Sequence, residues 1–179
     1  LEEVSNFDFV DYVQLDHKVS QREIPNDPYF NQMWGLNNTG QNGGQFDGDI
    51  DAEEAWDITT GGLTSIGDEI VVAVVDGGVD INHPDLISNI WVNENEIPNN
   101  GIDDDGNGYV DDINGWDAYS NDGSIPSDNH GTHVAGTIGA KGNNNSDVVG
   151  VNWNVKIMSV AGSSGSTSTI SLAYGYVPV

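Results

Sequence analysis

The stretch EIVVAVVD, residues 69–76, constrains the fold more than any other part of the chain. Its β-branched apolar residues run on without the polar alternation of a half-exposed strand, and polar turn residues bound them. Such a run reads as a strand buried on both faces, the place of a central parallel strand in an α/β sheet. Asp76 stands at its carboxyl end. In open parallel sheets the loops leaving that end form the crevice where binding and catalytic groups collect. On spacing alone two roles stay open for Asp76: membership of such a site, or capping of the turn DGGVD that follows.

A sheet of this kind needs a helix to cover it, and HGTHVAGTIGA, residues 130–140, supplies one. Gly131, Ala135, Gly136 and Gly139 are small enough for close approach, and Val134 and Ile138 are expected to fill the contact. His130 falls in the first turn, with His133 one turn further along much the same side. A metal pair is one reading of the two histidines. Zincins, however, use i, i+4 spacing around an intervening Glu, and neither feature is present. A buried, hydrogen-bonded histidine suits His133 better than His130.

The remaining chain sorts around these two elements. DIDAEEAWDIT, residues 49–59, predicts a short helix with acids in its first turn and Ala55 and Trp56 on an apolar side. REIPNDPYF has two prolines and an Asn-Asp pair, the composition of a linker or turn between structural units. Before it, FDFVDYVQL alternates as a strand does, with Phe7, Phe9, Tyr12 and Leu15 available for burial.

Charge narrows the partners. Twenty-nine Asp and Glu against four Lys and Arg give a formal net charge of -25, which argues against nucleic acid or an anionic membrane as partner. Bound cations are the natural complement. Cysteine is absent, so disulfides and thiolate metal sites are excluded. No apolar run approaches a membrane span, and the acidic start LEEVSNFDFVDY does not read as a signal peptide.

DDDGNGYVDD, residues 103–112, is where a cation would bind. Asp103, Asp105 and Asn107 occupy the first, third and fifth positions of an EF-hand-like loop, Gly108 the sixth, and the Tyr109 carbonyl the seventh. The twelfth position holds Asn114 rather than Glu, so Asp111 or Asp112 must close the shell. Oxygen ligands favour calcium over zinc. The alternative is a solvated acidic turn, in which five clustered acids repel one another.

VVAVVDGGVDINHPDL followed by NHGTHVAGTIGA resembles the subtilisin-like serine protease family, peptidase S8. The resemblance continues through IPNDPYFNQMWGLNNTGQ, DIDAEEAWDIT and VVGVNWNVKIMSV, covering most of residues 24–160 in the family's order. It implies an α/β fold with a parallel sheet flanked by helices in three layers, incomplete in this chain. Asp76 becomes the orienting carboxylate of a catalytic triad and His130 its general base, with His83 structural. The triad serine belongs to a Gly-Thr-Ser-Met-Ala-like motif well downstream, which this sequence lacks. Ser163, Ser164 and Ser166 do not have its context, and the oxyanion asparagine and pocket segments are also missing. The chain therefore reads as residues 23–179 of the amino-terminal part of a catalytic domain, inactive by itself. Residues 1–22 read as the end of an inhibitory propeptide or, alternatively, as an ordinary first strand.

The resemblance also implies a strong structural calcium at Asp27, Asp85 and Asn145, completed by backbone oxygens near Asn145, and a weaker site at Asp117 and Asp122. The expected protein is a secreted, extracellular, calcium-stabilised endopeptidase. Its expected partners are polypeptide substrates, the remaining carboxyl-terminal part of the protease and its own propeptide, with no nucleic acid and no membrane. Two rival functions remain: a non-catalytic calcium-binding module that keeps the fold, and a metallohydrolase.

Overall fold

The computed structural model describes residues 23–177. The readings of residues 1–22, including the propeptide, lie outside them. Strand β1 (Val71–Asp76) and strand β2 (Gly115–Asp117) both pair in parallel with β3 (Lys156–Ala161), giving the order β1-β3-β2. The register aligns Asp76, Ala161 and Asp117 at the carboxyl edge. This edge carries the loops that matter below.

The strand expected at 69–76 forms as β1, but the double burial expected of it needs correction, because Val74 alone of its residues is buried. Among the described residues β1 pairs with β3; Val71, at its start, is 40% exposed and Val74 is buried. The strand's apolar character is nonetheless used on both faces. Val72 and Val74 join Ile157, Leu86 and Ala135 on one side, whereas Ala73 and Val75 join Trp116, Met158 and Val160 on the other. Period-two alternation thus feeds two cores at once.

Helix α1 (Ala52–Trp56) is shorter than the reading of 49–59 and turned differently. Ala52 and Trp56, one turn apart, are its buried apolar residues, with Glu53 buried as well, and Ala55 is exposed. Trp56 packs with Phe30 and edge-on to Trp153, and its Nε1–H donates to the Val151 carbonyl at 2.9 Å. Helix α2 (Asn129–Gly139) covers the Val74 face of the sheet, and helix α3 (Thr167–Tyr176) covers the Trp116 face. Three layers result.

Helix α2 reaches the sheet through Gly131, Ala135 and Gly139, all buried, with Val134 and Ile138 half-buried beside them as expected. A Cβ on Gly139 would lie 2.9 Å from the Val155 side chain. Gly136 is different: a Cβ there meets nothing, so its smallness is not what permits the approach.

Ser159 sits at the middle of β3 between Val74 and Gly115, completely buried, and its Oγ has no hydrogen-bond partner. An unpaired buried hydroxyl costs about 1–3 kcal/mol of desolvation. Ser159→Ala is therefore expected to raise the stability of the protein by about 1 kcal/mol, read as an increased midpoint of urea or thermal unfolding.

Candidate active site and cation sites

The loop DGG after β1 and the start of α2 are built to touch. Gly78 has φ +124°, and a Cβ there would stand 2.0 Å from the Pro126 carbonyl oxygen. A Cβ on Gly131 would stand 2.0 Å from the Gly78 oxygen, and one on Gly77 would stand 2.9 Å from Asp128 Cγ. Backbone cannot yield there as a flexible side chain can. Gly78→Ala combines this clash with left-handed strain, and is expected to cost about 3 kcal/mol or more and to separate α2 from β1. Loss of thermal stability together with activity of the parent protein would register it.

The close approach delivers a side-chain pair. The His130 Nδ1–H donates to Asp76 Oδ2 at 2.8 Å, while Asp76 Oδ1 accepts from the Gly77 N–H at 2.7 Å. A carboxylate only accepts, so the ring proton belongs on Nδ1 and the lone pair on Nε2. The Asp76 side chain is 15% exposed and the His130 ring 77%. An immobilised acid thus holds an accessible imidazole whose basic nitrogen faces away from it.

Asp128 fixes the helix beneath the ring. In extended conformation at the N-cap, its Oδ1 accepts from His130 N–H at 2.9 Å and Gly131 N–H at 3.0 Å. Thr132 extends the clamp, donating to the Asp128 carbonyl at 2.6 Å and accepting from the Asp80 N–H at 2.8 Å. Neither residue stands out by its spacing to Asp76. An aspartate two positions before a helical histidine is an N-cap signal that would have found Asp128.

His133 contradicts its expectation: it is exposed. Gly131, Ala135 and Gly139 face the sheet, and His133 stands about 200° around the helix from Gly131, which turns it outward. It lines a cavity of about 400 Å³ with His83, Asp80 and Thr132. His83 is half-buried, with Nδ1 accepting from the Asp85 N–H at 3.2 Å. Among the described residues, the cation-competent group containing His130 includes Asp76 and Asp128 and not His133.

Asp27 and Asp85 are brought together by the loop 143–148. Both are buried. Asp27 Oδ2 accepts from Asn143 N–H at 2.9 Å, and Asp27 Oδ1 has no partner. Asp85 accepts from Asn144 Nδ2 at 2.8 Å and from Val148 N–H at 2.9 Å. Burial pushes the Asp27 carboxyl above its ordinary range, partly offset by the Asn143 and Asn144 amides, and the Asp85 charge pushes it further up. Two adjoining buried carboxylates, one oxygen orphaned, suit a hard divalent cation. Asn145 is exposed with φ +58°, its N–H bonded to Asn26 Oδ1, and it is the neighbouring Asn144 whose side chain reaches Asp85.

The acidic loop curls as its spacing requires. Asp103 accepts from Gly106, Asn107 and Gly108 N–H groups, and Asn107 N–H also donates to Asp105 Oδ1. Gly108 has φ +95°, the left-handed turn that favours glycine there. Asp105 is held below the ordinary carboxylate range chiefly by the Asn93 amide. The two candidates for closing the shell separate. Asp111 turns to the Asn100 and Gly101 N–H groups, both at 3.0 Å, whereas buried Asp112 accepts from Asn93, Asn107 and the Tyr176 hydroxyl. Glu96, which no spacing rule singles out, is buried against the loop and groups with Asp103 and Asp105. Tyr109 packs edge-on to Trp116 and Tyr176.

An acid–histidine pair at the carboxyl edge of a parallel sheet, carried by a strand and a helix start, is suited to general acid–base chemistry. The subtilase family model, peptidase S8, matches residues 67–178, and the chain belongs to this family of subtilisin-like serine proteases. It is similar to subtilisin-like protease 1 of Plasmodium berghei (strain Anka), 44% identical over 135 residues that make 74% of this chain and 20% of that protein. The Plasmodium vivax protein of the same name is 39% identical over 135 residues, 74% of this chain and 19% of its own. PC3-like endoprotease variant B of Hydra vulgaris is 33% identical over 154 residues, 83% of this chain and 18% of its own. The chain thus spans about a fifth of these relatives' length. Among solved structures, the serine protease of Aeromonas sobria superposes with a TM-score of 0.58 at 23% identity, covering 94% of this chain and 26% of its own. Its complex with a chaperone gives a TM-score of 0.62 at 22% identity, covering 85% and 22%. These two likenesses establish the fold.

Proposed function

We propose that the parent protein is a calcium-stabilised, subtilisin-like serine endopeptidase in which Asp76 and His130 are two members of a Ser-His-Asp triad. The observation that carries this reading is the 2.8 Å bond between His130 Nδ1 and Asp76, which leaves Nε2 basic and accessible. The nucleophile is a serine outside residues 1–179.

Nε2 of His130 removes the proton as the serine oxygen attacks the scissile carbonyl, and the Asp76 carboxylate stabilises the imidazolium that forms. When the tetrahedral intermediate collapses, the C–N bond breaks and His130 returns that proton to the leaving amine. A water molecule then attacks the acyl ester, with His130 again as base, restoring the serine. Asp128 and Thr132 keep the base at the helix start throughout.

Calcium in this reading is structural. Asp27 and Asp85 would hold one ion, with oxygens of the loop 143–148 around Asn145. Asp103, Asp105, Asn107, the Tyr109 carbonyl and Asp112 would hold another, with Glu96 beside them. Asp111 is the member of the expected set whose carboxylate is committed elsewhere. A bound cation relieves the repulsion of buried acids, and its abundance outside cells fits an extracellular enzyme. Among the described residues, no helix is long and apolar enough to cross a membrane.

Polypeptides are the substrates, and the propeptide is the natural inhibitor. The test is hydrolysis of a denatured protein by the full-length protein. Inhibition by a serine-directed phosphonate, with indifference to a zinc-selective chelator, supports the reading. Loss of activity to the chelator alone would establish the metallohydrolase, and absence of turnover under all conditions the non-catalytic module.

A further inference from the structure

Helix α2 places His130 in its first turn, where the helix dipole gathers partial positive charge from amides that lack a partner within the helix. That charge disfavours the imidazolium on which the proposed mechanism depends. The residue that caps this helix is an acid, although asparagine or serine caps a helix as well as aspartate does. The charge of Asp128 is therefore surplus to capping.

The Asp128 carboxylate also packs beside the turn that Asp76 holds. Its Oδ1 takes both the His130 and Gly131 N–H groups, while a Cβ on Gly77 would stand 2.9 Å from its Cγ and 3.2 Å from its Oδ2. Gly77 is the residue whose N–H Asp76 Oδ1 accepts. One carboxylate oxygen of Asp76, one of Asp128 and a ring nitrogen of His130 all lie within 4.8 Å of one another. Two acids thus flank one imidazole, Asp76 from the sheet and Asp128 from the helix start. The other titratable groups around this helix face elsewhere: Asp80, His83, Asp85 and His133 line a cavity to which His130 does not contribute. Lys141 and Lys156, the lysines among the described residues, donate to Asn154 and the Ser88 carbonyl and pair with neither acid.

We infer that Asp128 is a second positioning acid of the proteolytic reaction: its charge, together with that of Asp76, stabilises the imidazolium as His130 takes the serine proton. The inference rests on the proteolytic reading. Asp76 bonds Nδ1 and sets the tautomer, whereas Asp128 bonds the backbone amides and acts on the ring through its field. A separation of 4.8 Å or less lies well inside the screening length of about 8 Å at physiological salt. A cap serving only the helix would work equally well without its charge.

The experiment compares full-length wild type, Asp128→Asn and Asp128→Ala on a chromogenic peptide across pH, with thermal unfolding of each. Asparagine keeps the capping oxygen and removes the charge; alanine removes both. For Asp128→Asn, kcat at neutral pH is expected to fall about tenfold, with KM within about twofold and the unfolding midpoint unchanged. The acid limb of its kcat/KM profile is expected to move about one unit toward lower pH, the shift that accompanies a tenfold loss of imidazolium stabilisation. Asp128→Ala shares these kinetic changes and also unfolds at a lower temperature. Wild-type kcat with an unmoved profile in Asp128→Asn, a limb moved toward higher pH, or a kinetic loss that comes with an equal loss of stability in both variants overturns the inference. A wild type that does not turn over the peptide overturns the proteolytic reading itself, and the inference with it.

Discussion

His130→Ala in the full-length protein is expected to lower kcat for peptide hydrolysis by about 10⁴-fold or more while leaving KM within a few-fold. The ring is exposed and carries no part of the core, so the folded state survives its removal. Asp76→Asn is the sharper companion. An amide in the same place donates to Nδ1, turning the tautomer so that Nε2 carries the proton and cannot act as base. A loss of about 10⁴-fold at neutral pH with unaltered thermal unfolding is the expected result. Steady-state kinetics on a chromogenic peptide, beside circular dichroism of each variant, separates chemistry from folding. A decrease of less than tenfold in both variants would remove the pair from the mechanism.

The second large effect concerns the calcium ion proposed to lie between Asp27 and Asp85. A cation that binds only the folded state stabilises it by about 4 kcal/mol at a thousand times its dissociation constant, so chelation is expected to lower the unfolding midpoint substantially. Asp27→Asn inverts the comparison. In calcium the variant is the less stable protein; in chelator it equals or exceeds wild type, because an uncompensated buried charge beside Asp85 is gone. The sign with pH follows from the raised Asp27 carboxyl. Its contribution to the ion-free fold is fully present below the ordinary carboxylate range and is lost as pH rises through its elevated value. Chelated wild type is thus expected to weaken over that window, and Asp27→Asn to lack this component. Unfolding curves in calcium and in chelator, at several pH values, supply the check. Equal responses of wild type and variant to calcium would place the stabilising ion elsewhere.

How much of this was legible in the residues alone depended on whether the information was local. Asp76 and His130 were singled out because each sits in a contiguous motif that resembles the family's, and the structure brings the two side chains within a hydrogen bond of each other. The parallel sheet followed from an uninterrupted apolar run. What failed was whatever depended on a neighbour. His133 and Ala55 were assigned inward because a helical stripe can be drawn through them, but the packing partner chose Gly131, Ala135 and Gly139 in one helix and Ala52 and Trp56 in the other. Glu96 was invisible for the same reason: it reaches the amides of Asp104, Asp105 and Asp111, eight to fifteen positions on, through the curl of the loop and not through any spacing rule. The acidic loop was the intermediate case. Its one-three-five spacing gave the curl, yet only the fold separated Asp112, buried under Tyr176, from Asp111, turned toward Gly101.

In the proposed mechanism the Asp76–His130 pair activates a serine lying outside residues 1–179. The most direct measurement is intact-mass analysis and peptide mapping of the full-length protein after reaction with a serine-directed fluorophosphonate. One adduct per molecule is expected, on a serine beyond residue 179, formed by wild type and almost absent in His130→Ala. An unlabelled wild-type protein, an adduct on Ser163, Ser164 or Ser166, or labelling that persists undiminished without His130 would contradict it.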